Sequence, residues 1–446
     1  MLRRRIAALN RIPTGVRWSH DFGALLTTLS ILFLQTSSLS AGDWPQILGP
    51  ARNGVAVGEQ LLKDWGTAGP EQKWKVEVGQ GFAGVAVAGE RVIAFFRIGR
   101  EEIVRCLNAA DGEVVWEARS PCGYSGGVSS DTGPRCVPVV SGNSVVTFGV
   151  EGRLQCLQLS SGRLLWSRDT DEDFSPLEGY FGAGSTPVVD GDRVIVNVGG
   201  RDDSSVVAFS LKTGRTLWSV FRDHASYSAP IVVDHQGSRL AIVVTRLHLT
   251  GIDVATGELR FAIPFGARGP TVNAATPLLT AGRVLVSSSY QIGSRLIDLS
   301  APEADRGDRD EMLLATQYAT PVASGERDDL VFAIDGRQDS GSGQASLKCL
   351  DLRTWKVLWE EPGLDYGTLI RVNHELLVLT CGGDLLRCDA SATGYRLRSS
   401  HQIQAATDRG YRLPALSAGR LYVRDDDFLR CLQVGIAGAQ AGGRVN

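Results

Sequence analysis

Histidine is scarce and scattered. The six, at positions 20, 224, 235, 248, 374 and 401, show no spacing that gathers a metal ion, so no zinc site is expected. Charge of one sign is missing too. The 46 Lys and Arg against 49 Asp and Glu leave a net charge of −3, without the broad basic field that nucleic acid or an anionic membrane needs. There is no adjacent Cys-Cys pair, no Cys-x-x-Cys-His, no phosphate loop and no local support for a Ser-His-Asp or Cys-His order. "DTDED" (169–173) starts like a calcium loop but lacks the Gly and bidentate Glu that should follow, and reads as a solvated acidic turn. Long apolar runs are absent but for "FGALLTTLSILFL" (22–34). Arg3, Arg4, Arg5, Arg11 and Arg17 precede it and small residues follow it up to Gly42. That is short for a spanning helix and right for an export signal over 1–42, with an uncleaved anchor as the alternative. The first cysteine is Cys106, so no lipid-bearing cysteine follows the expected cleavage site. The chain is expected to be exported, to the periplasm or beyond.

Amphipathic helical windows are missing as well, and what stands in their place is a repeat. Aligned on a turn, the copies are "CLNAADGEVVW" (106–116), "CLQLSSGRLLW" (156–166), "AFSLKTGRTLW" (208–218), "GIDVATGELRF" (251–261) and "CLDLRTWKVLW" (349–359), with a degraded "CDASATGYRLR" (388–398). A period of about 40–50 residues means a propeller or a solenoid. Upstream of each lies a short strand, a Gly turn and a second β-branched strand, often opened by proline, as in "PVVSGNSVVTF" (138–148) and "PVVDGDRVIVNV" (187–198). Pro suits that first residue because its missing N–H need not join the ladder. Eight such starts predict an all-β fold, an eight-bladed β-propeller of four-stranded antiparallel blades over 71–435. The aromatic closing each outer strand (Trp116, Trp166, Trp218, Phe261, Trp359) is expected to dock on the next blade, burying roughly 150–250 Å². Trp74 stands one period before Trp116, so 72–78 is expected to complete the eighth blade and clasp the ring. Residues 43–70 form a lead-in and 436–446 a flexible tail. Trp355 replaces the turn glycine in the sixth unit, whose turn is expected to differ.

Eight cysteines in an exported chain invite disulfides. Five of them, Cys106, Cys156, Cys349, Cys388 and Cys431, take the first repeat position, where other copies carry Ala208 and Gly251. That position reads as a tight buried site suited to free thiols. Cys122 and Cys136 bracket the Gly-rich loop "CGYSGGVSSDTGPRC" and could close it as a disulfide.

The strand–small–Leu–Asp–x–x–Thr–Gly–x–x–x–Trp phrase resembles the pyrroloquinoline-quinone-type propeller repeat. "DWPQILGPARNG" (43–54) is similar to a lead-in found in many exported bacterial members. The resemblance covers roughly 70–435 and implies the propeller. It leaves two functional classes open: quinoprotein dehydrogenases, with quinone and calcium in a central funnel, and cofactor-free scaffolds such as the outer-membrane protein assembly lipoprotein. The adjacent cysteines, haem motif and long insertions of the dehydrogenases are missing here, and so is the lipid-bearing cysteine of the scaffold. The resemblance leaves the activity open, and the missing catalytic pattern and short loops favour a non-catalytic scaffold in the cell envelope, expected to be monomeric and cofactor-free, with a protein partner or ligand. The alternative is a quinoprotein-type or other propeller enzyme holding pyrroloquinoline quinone and calcium.

The connections entering the innermost strands of a propeller gather at one mouth of the channel. Three residues before each strand-initial proline, or in the equivalent frame, stand Arg135, Gly184, Tyr227, Ala274, Tyr318, Tyr366 and Tyr411. His224, Asn273 and Asp365 are close neighbours in sequence. Arg135 and the four tyrosines, with His224, Asn273 and Asp365, form the candidate ligand site, rigid aromatics with a few polar groups. The competing reading is that the tyrosines wedge between blades and bond to backbone.

Overall fold

The computed structural model describes residues 42–437 apart from 177–180, 270, 302–312, 326 and 408–411. The expected export signal, Tyr411, the charged loop "EADRGDRDE" (303–311) and the last nine residues lie outside the described residues. Among those described, no helix is long and apolar enough to cross a membrane.

Eight antiparallel sheets follow one another in chain order, at 86–121, 139–169, 188–220, 231–264, 278–298, 322–364, 367–402 and 415–433, called blades 1 to 8 below. The first strand of each lies at the inner edge, covered in blade 7 by a lead-in strand, and the first strands of blades 8, 1, 2, 3 and 4, and those of blades 6 and 7, lean on one another. Strand Glu71–Glu77 pairs antiparallel with Phe428–Gln433, so the N-terminal side of the chain supplies the fourth strand of blade 8 and closes the ring. Blade 5 has three strands among the described residues. The expected tail begins instead with a strand, Gly435–Ala437, which pairs with Glu59–Leu61 of the lead-in. Its backbone groups find partners there that a solvated tail would lack.

The repeat phrase is a docking device. Trp116 Nε1 donates to the Leu159 carbonyl of blade 2 at 2.8 Å, Trp166 to Leu211 of blade 3 at 2.7 Å, and Trp218 to Val254 of blade 4 at 3.1 Å. Trp359 donates to Ser391 of blade 7 at 2.9 Å, and Trp74 of blade 8 to Ala109 of blade 1 at 2.9 Å. Each indole of the first three, and that of Trp74, lies on the turn glycine of the next blade. A Cβ on Gly162 would stand 2.5 Å from Trp116. The Thr-Gly turn thus needs glycine twice, for a positive φ and for a flat bed beneath the neighbour's ring. Phe261, which has no N–H, packs into the core that blades 4 and 5 share, beside Val284 and Ile297.

The small first position of the phrase follows from the same geometry. Cys106 pairs across the strands with Trp116, Cys156 with Trp166, Ala208 with Trp218, Gly251 with Phe261, Cys349 with Trp359 and Cys431 with Trp74. A register shift flanks each pair, the bulge that turns the ring toward the next blade. A larger side chain there would meet that ring.

Two expectations need correction. Trp355 keeps the turn of the missing glycine, at φ 53°, and packs on the apolar core between blades 5 and 6, beside Leu278, Leu296 and Leu350. Blade 5 brings no docking aromatic among the described residues, and Trp355 fills that interface from the blade 6 side. Cys122 and Cys136 are both free, buried thiols. The loop between them is closed by other means. Arg97 donates to the carbonyls of Cys122, Tyr124 and Thr132 at 3.2, 2.6 and 3.0 Å. The Asp131 carboxylate accepts from Gly81 N and Gly133 N at 2.9 and 2.8 Å. Cys136 lies in the core beneath, against Val139 and Phe148.

Candidate functional site

The lead-in enters the ring and stops the channel. Trp44 exchanges both backbone hydrogen bonds with Val87 of blade 1, and Pro45 O accepts from Val140 N of blade 2 at 2.7 Å. Val55–Ala56 adds a parallel strand to the inner edge of blade 7. Between them Arg52, 3% exposed, donates to Gln46 Oε1 at 2.8 Å, to the Pro230 carbonyl at 2.6 Å and to the Pro187 carbonyl. Both prolines open innermost strands, so one planar guanidinium ties the entries of blades 3 and 4 to the stopper. Burial pulls Arg52 down to about 9. Leu48 and Arg52 hold positive φ of 59° and 54°, a strain that the many surrounding contacts maintain. Outside the channel the Glu59 carboxylate accepts from Ala418 N and Gly419 N, both at 2.7 Å, fixing the lead-in to blade 8.

In front of the stopper lies a small apolar pocket of about 100 Å³, floored by Ile47 and walled by Phe82, Arg135, Phe181, Tyr227 and Tyr318. Gly184 and Ala274 of the same sequence frame also line it. The tyrosines are at once walls and wedges. Tyr227 Oη accepts from Phe181 N at 2.8 Å, and burial pushes the phenol up to about 12. Tyr366 lies beside the pocket. Its hydroxyl accepts from the N–H groups of Gln317, Tyr318 and Ala319 at 2.9, 3.0 and 3.0 Å. Burial pushes it up to about 12 against those bonds. Tyr318 stacks edge-on against Tyr366 at 4.7 Å and donates to Gln338 Oε1 at 2.8 Å. Gly184 is glycine because a Cβ would stand 2.6 Å from the Tyr227 ring.

The polar neighbours do not converge there. Asn273 Nδ2 donates to the carbonyls of Thr245 and Arg246, and Asp365 accepts from Ser342 Oγ and from Gly343 N at 2.8 Å. His224 lines a broad depression of about 1210 Å³ over blades 2 to 4, together with Arg153, Asp171, Glu172, Arg246 and Arg268. A second depression, of about 730 Å³, carries Tyr290, Gln338, Asp365 and Cys381 over blades 5 to 7. "DTDED" is a helical turn, Thr170–Phe174, capped by Asp169, which accepts from Asp171 N and Glu172 N at 3.1 and 3.2 Å. Sequence reasoning missed Arg52. The signal available was the lead-in phrase, whose arginine has no carboxylate near it in sequence.

Between blades 1 and 2 the Glu102 carboxyl, 3% exposed, accepts from Val150 N at 2.8 Å and packs on Gly149. Burial outweighs that bond and raises it to about 7. A carboxyl that holds its proton more tightly when folded contributes less stability as pH rises between its unfolded and folded values. Stability is therefore expected to fall between about pH 4.5 and about pH 7, by at most about 1.4 kcal/mol per pH unit from this group. Glu102→Gln should flatten that part of the profile, as read from urea midpoints. An unchanged slope would show that the carboxyl stays ionised throughout.

The apolar pocket by itself does not suit a quinone with its calcium. The pocket of about 100 Å³ is well below the roughly 300–1,000 Å³ of ordinary cofactor sites. Ile47 and Arg52 stand in the channel behind it, and no cluster of three or more His, Cys, Asp or Glu suited to a metal occurs among the described residues.

Comparison with known proteins agrees with the architecture. A curated relative, outer membrane protein assembly factor BamB of Yersinia pestis, is 26% identical over 254 residues, covering 51% of this chain and 58% of that one. The quinohemoprotein alcohol dehydrogenase ADH-IIG of Pseudomonas putida is 29% identical over 133 residues, 29% of this chain and 18% of that enzyme. The chain thus spans well under two thirds of both relatives. The crystal structure of BamB from Moraxella catarrhalis superposes with a TM-score of 0.59 at 15% identity, over 82% of this chain and 99% of that one, a likeness of fold. The family model described as outer membrane protein assembly factor BamB matches residues 99–361, and with the docking repeat and closed ring this shows that the chain belongs to that family.

Proposed function

We propose that this chain is an exported, non-catalytic, monomeric propeller that holds a protein partner in the cell envelope on its mouth face, without a cofactor. The observation that carries the reading is the stopper, which leaves no deep funnel behind the mouth. The names of its BamB relatives support it. So do the two broad depressions, one of mixed charge and one with Asp339 and Asp365 as its charged lining, wide enough for loops of a partner rather than for one small substrate.

The purified mature protein is to be titrated with pyrroloquinoline quinone and calcium, followed by tryptophan quenching, alongside dye-linked oxidation of alcohols and sugars. The expected result is no saturable quenching and no turnover, with elution as a monomer. Saturable binding at about micromolar concentration or tighter would overturn the scaffold reading in favour of a dehydrogenase.

A further inference from the structure

The mouth pocket holds one charge in an apolar setting. Among the residues that line it, Arg135 is the single charged group, and the other walls are Phe82, Phe181, Tyr227 and Tyr318 over the Ile47 floor. Its guanidinium lies over the Phe82 ring, 4.9 Å from the centroid, and 5.8 Å from that of Tyr124. Its hydrogen-bond acceptors are two backbone carbonyls, Gly133 O and Asp131 O. An arginine has five N–H donors, so three remain without an acceptor among the described residues, and Nε is one of these. The Asp131 carboxylate accepts from Gly81 N and Gly133 N and lies 3.5 Å from Arg412, and its charge, with that of Glu102, acts on Arg135 through space. Burial lowers Arg135 from its ordinary value. A cation so placed, with backbone carbonyls as its hydrogen-bond acceptors, gains from an anion that brings its own apolar body.

We propose that the mouth pocket is a binding site for a small carboxylate with an apolar body of about one ring, its carboxylate on Arg135 and its body between Phe82, Phe181 and Tyr227. The pocket alone, about 100 Å³, is smaller than the roughly 150 Å³ that holds a benzene ring, so a bound ring has to reach into the space beside it. The pocket continues into the flanking depressions, since Tyr227 also borders one and Phe82 and Phe181 the other. The Tyr318 hydroxyl already donates to Gln338, and Tyr227 accepts from Phe181 N, which leaves Arg135 as the charged group that selects an anion. The site stands whether or not a protein partner covers the mouth face, so benzoate binding and partner binding fail separately.

Benzoate is the probe, with benzamide as its neutral isostere, titrated calorimetrically into the full mature protein. Benzoate is expected to saturate at about 1 mM or tighter and to bind at least tenfold better than benzamide. Arg135→Met should remove that tenfold preference. Ile47→Trp, which fills the pocket while keeping Arg135, should abolish binding of both. Equal binding of benzoate and benzamide by the wild type, no saturation by either, or an Arg135→Met protein that still prefers benzoate would each overturn the proposal.

Discussion

Arg52→Ala is expected to destabilise the protein by about 3 kcal/mol, with the lead-in leaving the channel. Three charge-assisted hydrogen bonds, to Gln46 and to the carbonyls of Pro187 and Pro230, are lost. At roughly 1.5–3 kcal/mol each, they exceed the desolvation of the guanidinium by about 2 kcal/mol at the middle of that range. That opposing cost is on the order of 5 kcal/mol, from the fall of its pKa to about 9. The void left behind adds to the loss. Arg52→Lys keeps the charge but not the fork, and should recover less than half of the stability. Urea midpoints give the energies. Amide exchange at Val140 and Arg371, which donate to Pro45 and Gly54 of the lead-in, shows where the structure opens. A midpoint equal to that of the wild type, with both amides still protected, would mean that the segment is held by its backbone pairing alone.

That arginine also marks where the sequence stopped being readable. The blades were legible because each repeat is local: strand, turn and aromatic lie within one period, and the small residue opposite the ring recurs with it. The mouth frame was legible for the same reason. Counting back from a strand-initial residue reaches Arg135, Gly184, Tyr227, Ala274 and Tyr318, which line one pocket. Arg52 contacts carbonyls 135 and 178 residues away, and a backbone carbonyl leaves no trace in the identity of its residue. Asn273 and Asp365 mislead in the opposite way. They are close to the mouth in sequence, yet their polar atoms meet nearby loop backbone first. The Cys122–Cys136 loop has the spacing of a disulfide, but Arg97 and Asp131 already satisfy its backbone groups. Trp355 looked like a broken turn because its role depends on what blade 5 does not bring.

The ring closure yields the other large effect. Gly112→Ala is expected to cost about 3–5 kcal/mol, whereas Gly142→Ala should cost about 1–2. Both glycines have positive φ, 78° and 56°, so both variants carry the left-handed penalty. They differ in what a Cβ would meet. At Gly142 nothing lies within 4 Å, while at Gly112 the Trp74 ring lies at 2.9 Å. That indole, 7% exposed, is also held through Nε1 on Ala109 O and cannot retreat without losing its bond. Trp74→Ala should itself cost about 3–5 kcal/mol. In the Trp74→Ala background Gly112→Ala should fall to the backbone penalty alone, a coupling of about 2–3 kcal/mol. Additive losses would show that the glycine is required for its φ and not as the bed of the ring. Gly162→Ala provides the topological contrast. Its Cβ would meet Trp116 at 2.5 Å, a closer clash, but blades 1 and 2 remain joined through the chain between them. The clasp joins Glu71–Glu77 to Phe428–Gln433, strands from opposite ends of the sequence, so loosening it exposes two sheet edges together. Gly112→Ala should therefore speed exchange along 71–77 and 428–433 in particular, while Gly162→Ala lowers the midpoint without singling out the clasp.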